Sequence, residues 1–227
     1  MFKNFFITVC LLCALALPAN AASFSVGGMG FNKKVRSLKE IRQENVVTQG
    51  WDYSCGAAGL ATLFNYYLND PIPEIEIINS LLNTIPLEKV MARQGFSLFD
   101  LKKFAQSRGY KVTGYRMDFE YLKSIGKPVL VPIKFKNYRH FVVVKGVFGD
   151  RVFIADPAVG NMTIKDEKFI SMWTNGIGFV VEHPDHEIKN DYALQIEHED
   201  IRMADYRSLK RFVNPLQLRT TVFTNEW

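Results

Sequence analysis

Cys55 begins the run Cys55-Gly56-Ala57-Ala58, which continues into a helical pattern. The unpaired amides and macrodipole of a helix's first turn favour negative charge, and so favour the thiolate, which is the nucleophilic form of cysteine. The backbone amide of the same residue faces the oxygen of any carbonyl the sulfur attacks. Gly56, Ala57 and Ala58 are expected to leave the sulfur uncovered and to admit a substrate backbone. Gln49 lies shortly upstream, and Gly50-Trp51-Asp52-Tyr53-Ser54 is long enough to curl its side-chain amide towards that oxygen as a second donor.

A thiolate nucleophile needs a base. The chain has 4 histidines, and His140 alone opens a β-branched run, Phe141-Val142-Val143-Val144, where a sheet edge is expected to meet the surface. His183, His186 and His198 lie in a polar C-terminal stretch. An imidazole acting as base is oriented by an acceptor on its second nitrogen. Asp156 ends the next apolar run, 152–155, and Phe148-Gly149-Asp150 between the two runs reads as a hairpin turn. His140 and Asp156 are therefore expected at the open end of one hairpin, close enough for contact. Asp156 before Pro157 also reads as a turn former, and Asp150 and Asn161 are substitute acceptors.

These residues require particular elements to hold them. Apolar residues recur at helical spacing from Cys55 to about Leu68, where Asn69-Asp70-Pro71 stops the pattern. A second helix is expected over 74–82. A third starts at Ser97, whose hydroxyl caps the amide of Asp100, and ends at Gly109. Beyond Gly109 the period shortens: strands are expected over 110–115, 129–135, 141–147, 152–155 and 177–181, with a helix over 118–125. Helices followed by an antiparallel sheet define an α+β domain.

The rest of the chain places this domain. Lys3 precedes an apolar run over 5–17, and Pro18 with Ala19-Asn20-Ala21 supplies a cleavage site, so 1–21 reads as a secretory signal peptide. That run is too short to span a bilayer, and no later stretch approaches the length needed. Cys10 and Cys13 fall inside it, which leaves Cys55 as the single thiol of an exported product, an unusual residue to keep in an oxidising compartment. Residues 22–45 read as an extended or partly ordered lead-in, 46–182 as the domain, and 183–227 as an irregular extension, with 200–212 weakly helical.

At 227 residues, 48% hydrophobic and 22% charged, the chain can build a substantial core, which excludes disorder over most of its length. A net charge of +5 is scattered rather than clustered, so nucleic acid is not an expected partner. Three cysteines are too few for a disulfide framework. Gly27, Gly28 and Gly30 lack the strand and helix a dinucleotide loop requires. His183, Asp185, His186, Glu187 and His198 are metal-type ligands in a polar setting broken by Pro184, and a solvated tail is the better reading.

Gln49-Gly50-Trp51-Asp52-Tyr53-Ser54-Cys55-Gly56-Ala57-Ala58, with His140-Phe141-Val142-Val143 and Asp156-Pro157, resembles the C39 family of cysteine peptidases over about 46–181. The resemblance implies a papain-like fold with N-terminal helices packed on an antiparallel sheet, and no cofactor or metal. It further implies that Cys55 is the nucleophile, His140 the general base and acid, Asp156 the orienting residue and Gln49 an oxyanion donor. The signal segment makes the chain more similar to stand-alone exported members, including those that accompany functional-amyloid export systems, than to members fused to exporters. That implies a periplasmic endopeptidase with a protein or peptide substrate in the secretory pathway, an amyloid export system among the candidate partners. Two rivals use the same residues differently: a cell-wall amidase or acyl transferase, and a non-catalytic binding or chaperone module.

Overall fold

The computed structural model describes residues 23–26, 29–32, 36–135, 138–185, 188, 192–197 and 200–201. The expected signal peptide lies outside the described residues, as does the expected helix over 200–212 beyond Ile201. The chain divides into two units, 1–41 and 42–227. In the first, β1 (Ser23–Val26) pairs antiparallel with β2 (Met29–Asn32). Helix α1 (Leu38–Gln43), absent from the sequence reading, starts where Ser37 Oγ accepts from Glu40 N and Glu40 Oε2 accepts from Ser37 N. This is a reciprocal cap whose Ser-x-x-Glu signature is present in the sequence. The helix buries no residue, so it carries no apolar stripe to announce it.

The larger unit opens with four helices, α2 (Cys55–Tyr66), α3 (Glu74–Leu82), α4 (Leu87–Arg93) and α5 (Leu98–Ser107). Its strands are β3 (Lys111–Arg116), β4 (Val129–Phe135), β5 (Tyr138–Phe148), β6 (Arg151–Asp156), β7 (Gly160–Lys165) and β8 (Ile177–Glu182). They form one sheet in the order β3-β8-β4-β5-β6-β7, with every pairing antiparallel. Helices α6 (Phe119–Ser124) and α7 (Asp166–Met172) complete the unit. The expected α+β class and cap at Ser97 hold: Ser97 Oγ accepts from Asp100 N, and Asp100 Oδ2 accepts from Ser97 N.

Both faces of the sheet are covered. Leu130, Val143, Ala155 and Phe179 pack with the apolar residues of α2, α3 and α5. Val131, Val142, Val144 and Ile154 pack with Leu122 of α6 and Phe169 of α7. A strand buried on both sides reads as a continuous apolar run, which is why Val142-Val143-Val144 does not alternate. Besides α1, three elements of the larger unit escape sequence reading because their signal is weak. Helix α4 buries only Val90, α7 only Phe169, and β7 is an edge strand of half-buried residues.

Helix α2 is buried on every side over its first ten residues, from Cys55 to Phe64. A Cβ on Gly59 would lie 2.7 Å from Leu130 Cδ1, and one on Gly56 would lie 3.1 Å from Leu101 Cδ1 and 3.2 Å from Phe141 Cδ2. This corrects the expectation that Gly56, Ala57 and Ala58 expose the sulfur to a substrate backbone. Their small size lets the sheet and α5 close onto the helix, and that closeness sets the sulfur at the end of β5.

The C-terminal stretch also departs from the tail expected over 183–227. Leu194 is 0% exposed and belongs to the main core. The ring of Tyr192 meets that of Tyr67 edge-on at 4.8 Å, and Asn45 Nδ2 donates to Ala193 O at 2.9 Å. Buried Lys145 reaches Asp200 at 3.0 Å. Leu194→Ala is accordingly expected to cost about 2–5 kcal/mol, the range for a buried leucine. Urea titration against an exposed control, Val159→Ala, measures it; equal stability of the two variants would show that this segment is not part of the folded core.

Candidate functional site

The stretch 49–54 is pinned from three directions. Gln49 N donates to Pro157 O at 2.8 Å, which ties it to the residue after Asp156. Gly50 N donates to Oε2 of buried Glu74 at 3.0 Å. The Trp51 carbonyl accepts from Ser54 Oγ at 2.7 Å and from Gln49 Nε2 at 3.1 Å. Ser54 is thereby occupied with the loop and makes no side-chain cap on α2. The amides of the first turn, Cys55 included, are left without a capping side chain. Gln49 spends one amide proton on Trp51 and keeps the other.

Cys55 is 3% exposed and a free thiol. His140 is not the first residue of its strand, as expected, but lies within β5, between β4 and β6. Nor does it sit at an exposed edge: it is 8% exposed. Val143 pairs with Ala155, so one step further Asp156 faces Val142, and His140 is its diagonal neighbour on the same face of the sheet. Diagonal neighbours are about 7–8 Å apart at the backbone, within reach of long side chains. His140 Nε2 meets Asp156 Oδ1 at 2.8 Å. That oxygen also accepts from Ala158 N at 2.7 Å, so Asp156 is both turn former and histidine partner. Asn161 is engaged elsewhere, donating to Glu44 O at 2.6 Å.

With Nε2 held by Asp156, Nδ1 is the nitrogen left for the sulfur. It is buried and makes no hydrogen bond; the ring and Cys55 line one cleft, close enough for the sulfur to raise the ring's pKa. Such contacts are commonly long in a free enzyme and shorten once substrate is bound. Burial pulls the His140 pKa down, but the hydrogen bond to Asp156, the nearby Cys55 sulfur and the negative charges of both outweigh it, and the pKa is pushed up to about 9. The ring is therefore an imidazolium at neutral pH. Cys55 and His140 open on a cleft of about 620 Å³ whose walls include Gly95, Phe96, Leu98 and Ile177.

The sequence reading overlooked two residues here. Tyr138, 41% exposed, lays its ring 5.9 Å from that of His140 with the planes tilted by 31°. Burial, then the charges of Cys55, Asp52, Tyr53 and Asp156, raise its pKa and keep it neutral. The available signal was its place two residues before His140, on the same face of a strand. Glu74, which anchors Gly50, gave no local signal beyond a helix start. Among the metal-type residues, His183 packs edge-on against Tyr110 at 5.8 Å and accepts from Asp185 N. His186, Glu187 and His198 lie outside the described residues.

Helices on one antiparallel sheet, with a cysteine at a helix start beside a histidine and aspartate from adjacent strands, describe a papain-like cysteine peptidase. The fold is similar to the peptidase domain of Streptococcus ComA, a bi-functional ABC transporter involved in quorum sensing, at a TM-score of 0.52 and 23% identity over 61% of this chain and 97% of that one. Residues 43–185 match the Peptidase C39 family. The chain belongs to that family and is a cysteine peptidase. Among its relatives are proteins described as probable functional amyloid protease FapD. The one from Pseudomonas fluorescens is 37% identical over 77% of this chain and 78% of the relative. The one from Pseudomonas aeruginosa is 33% identical over 79% of each. Among the described residues, no helix is long and apolar enough to cross a membrane.

Proposed function

We propose that Cys55, His140, Asp156 and Gln49 form the active site of an exported endopeptidase, within a domain spanning 46–182. The observation that carries the reading is one imidazole ring that answers to both Asp156 and Cys55. The Cys55 thiolate adds to the carbonyl carbon of the scissile bond. The oxygen that takes up the charge is received by the Cys55 amide and by the unspent proton of Gln49 Nε2. His140 gives its Nδ1 proton to the leaving nitrogen as the C–N bond breaks, which leaves a thioester and a neutral ring. Water then attacks the thioester, His140 takes its proton, and the carboxylic product departs with the sulfur again a thiolate. Asp156 keeps Nε2 protonated throughout and so keeps Nδ1 turned to the chemistry.

The signal segment and the two FapD relatives support a periplasmic location and an exported protein as substrate, with an amyloid export system as the partner. Iodoacetamide tests the site directly. At neutral pH it is expected to alkylate Cys55 faster than a free cysteine, proteolysis falling in step with labelling as read by mass spectrometry. Proteolysis persisting after complete labelling of Cys55 would end the assignment.

A further inference from the structure

On the cleft side of the sheet, the β4–β5 pairing runs Leu130 with Val143, Pro132 with Phe141, then Lys134 with Arg139. The first pair belongs to the core. Pro132, Phe141 and Arg139 line the cleft beside Cys55 and His140. One row of side chains thus passes from core to cleft to a pair of exposed cations. Like charges directly opposite on an antiparallel ladder destabilise it, yet among the described residues neither Lys134 nor Arg139 has a carboxylate partner. Arg93 of α4 lines the same cleft. Its nearest carboxylate, Asp100, is 3.8 Å away and already holds Ser97. Two cations, Arg93 and Arg139, therefore line a largely apolar cleft, with Lys134 directly opposite Arg139 on the ladder, an arrangement that an anionic occupant would relieve.

We propose that this cationic rim selects substrates carrying an acidic side chain close to the scissile bond and an apolar residue in the cleft, with Arg139 reading the carboxylate. The inference rests on the site assignment above. A planar guanidinium with several donors suits a carboxylate, and charge in a cleft is felt more strongly than on an open surface. The wall formed by Phe96, Leu98 and Ile177 takes the apolar neighbour. Lys134, farther along the row, adds to the field.

The test profiles cleavage of a library of long proteome-derived peptides by mass spectrometry, using wild type and Arg139→Glu, with Cys55→Ala as the blank. Wild-type sites are expected to be enriched in Asp and Glu near the cut. For matched peptides with Glu or Lys at the enriched position, Arg139→Glu is expected to lower kcat/KM for the Glu peptide about tenfold and to raise it for the Lys peptide. The wild-type preference weakens as salt rises. Equal cleavage of both peptides by wild type, or an unchanged preference in Arg139→Glu, overturns the proposal. Should that variant not fold, Arg139→Gln serves, with loss of the preference expected in place of its inversion. Absence of cleavage by wild type of every peptide would count against the Cys55–His140 site instead.

Discussion

Cys55→Ala is expected to abolish proteolysis, lowering kcat/KM by about 10⁴-fold or more, with the fold intact. No other described group can form the thioester, and what remains is the weak effect of binding and oxyanion donors on attack by water. The fold is expected to survive because alanine keeps the Cβ and removes one sulfur from a helix start already packed against Leu101 and Phe141 at Gly56 and Leu130 at Gly59. The stability cost is about 1 kcal/mol. Circular dichroism checks the fold, and mass spectrometry of exported proteins in a strain carrying the variant identifies those that accumulate uncut. A well-folded variant that cleaves at a substantial fraction of the wild-type rate would show that the sulfur is not the nucleophile.

His140→Ala is expected to cost about a thousandfold in kcat/KM, the scale of general acid–base catalysis, and to slow alkylation of Cys55 by removing the imidazole beside it. The pH profile gives this a sign. The folded pKa of His140, about 9, stands above the ordinary value of 6.5. The proton needed by the leaving amine is present below that pKa and is lost as pH rises through it, so kcat/KM falls on an alkaline limb near pH 9. The same shift contributes stability that is complete below about pH 6.5 and disappears as pH rises through about 9. Asp156→Asn removes one of the two negative charges responsible, and the limb is expected to move down towards the ordinary histidine range. A limb that stays in place in this variant would mean that Asp156 does not set the ionisation of the ring.

The members of the candidate site were legible in residue types because the signal of each is local. A cysteine opening a helix, a glutamine shortly before it, and a histidine and aspartate on two strands joined by a short turn can be read without coordinates. So can the cap at Ser97 and the change from helical to strand period after Gly109. The hairpin brings His140 and Asp156 to the same end, but a bulge between Val144 and Gly146 decides the face: the register running back from the turn would set Asp156 opposite Val143 and on the other side from His140.

What the sequence left undecided depends on contacts between distant segments. Glu74 reaches Gly50, Gln49 joins Pro157, and Gly59 accepts Leu130, yet none of these pairs shares a periodicity that a single strand or helix would reveal. The burial of Leu194 is likewise hard to see, because Tyr192, Leu194 and Ile196 make an alternating run too short to stand out in an otherwise polar stretch. Residue types and short spacings determined which groups could react. Packing of α2 against the sheet decided that they meet, because only a close-packed core fixes a sulfur and a ring from different elements within reach of one another.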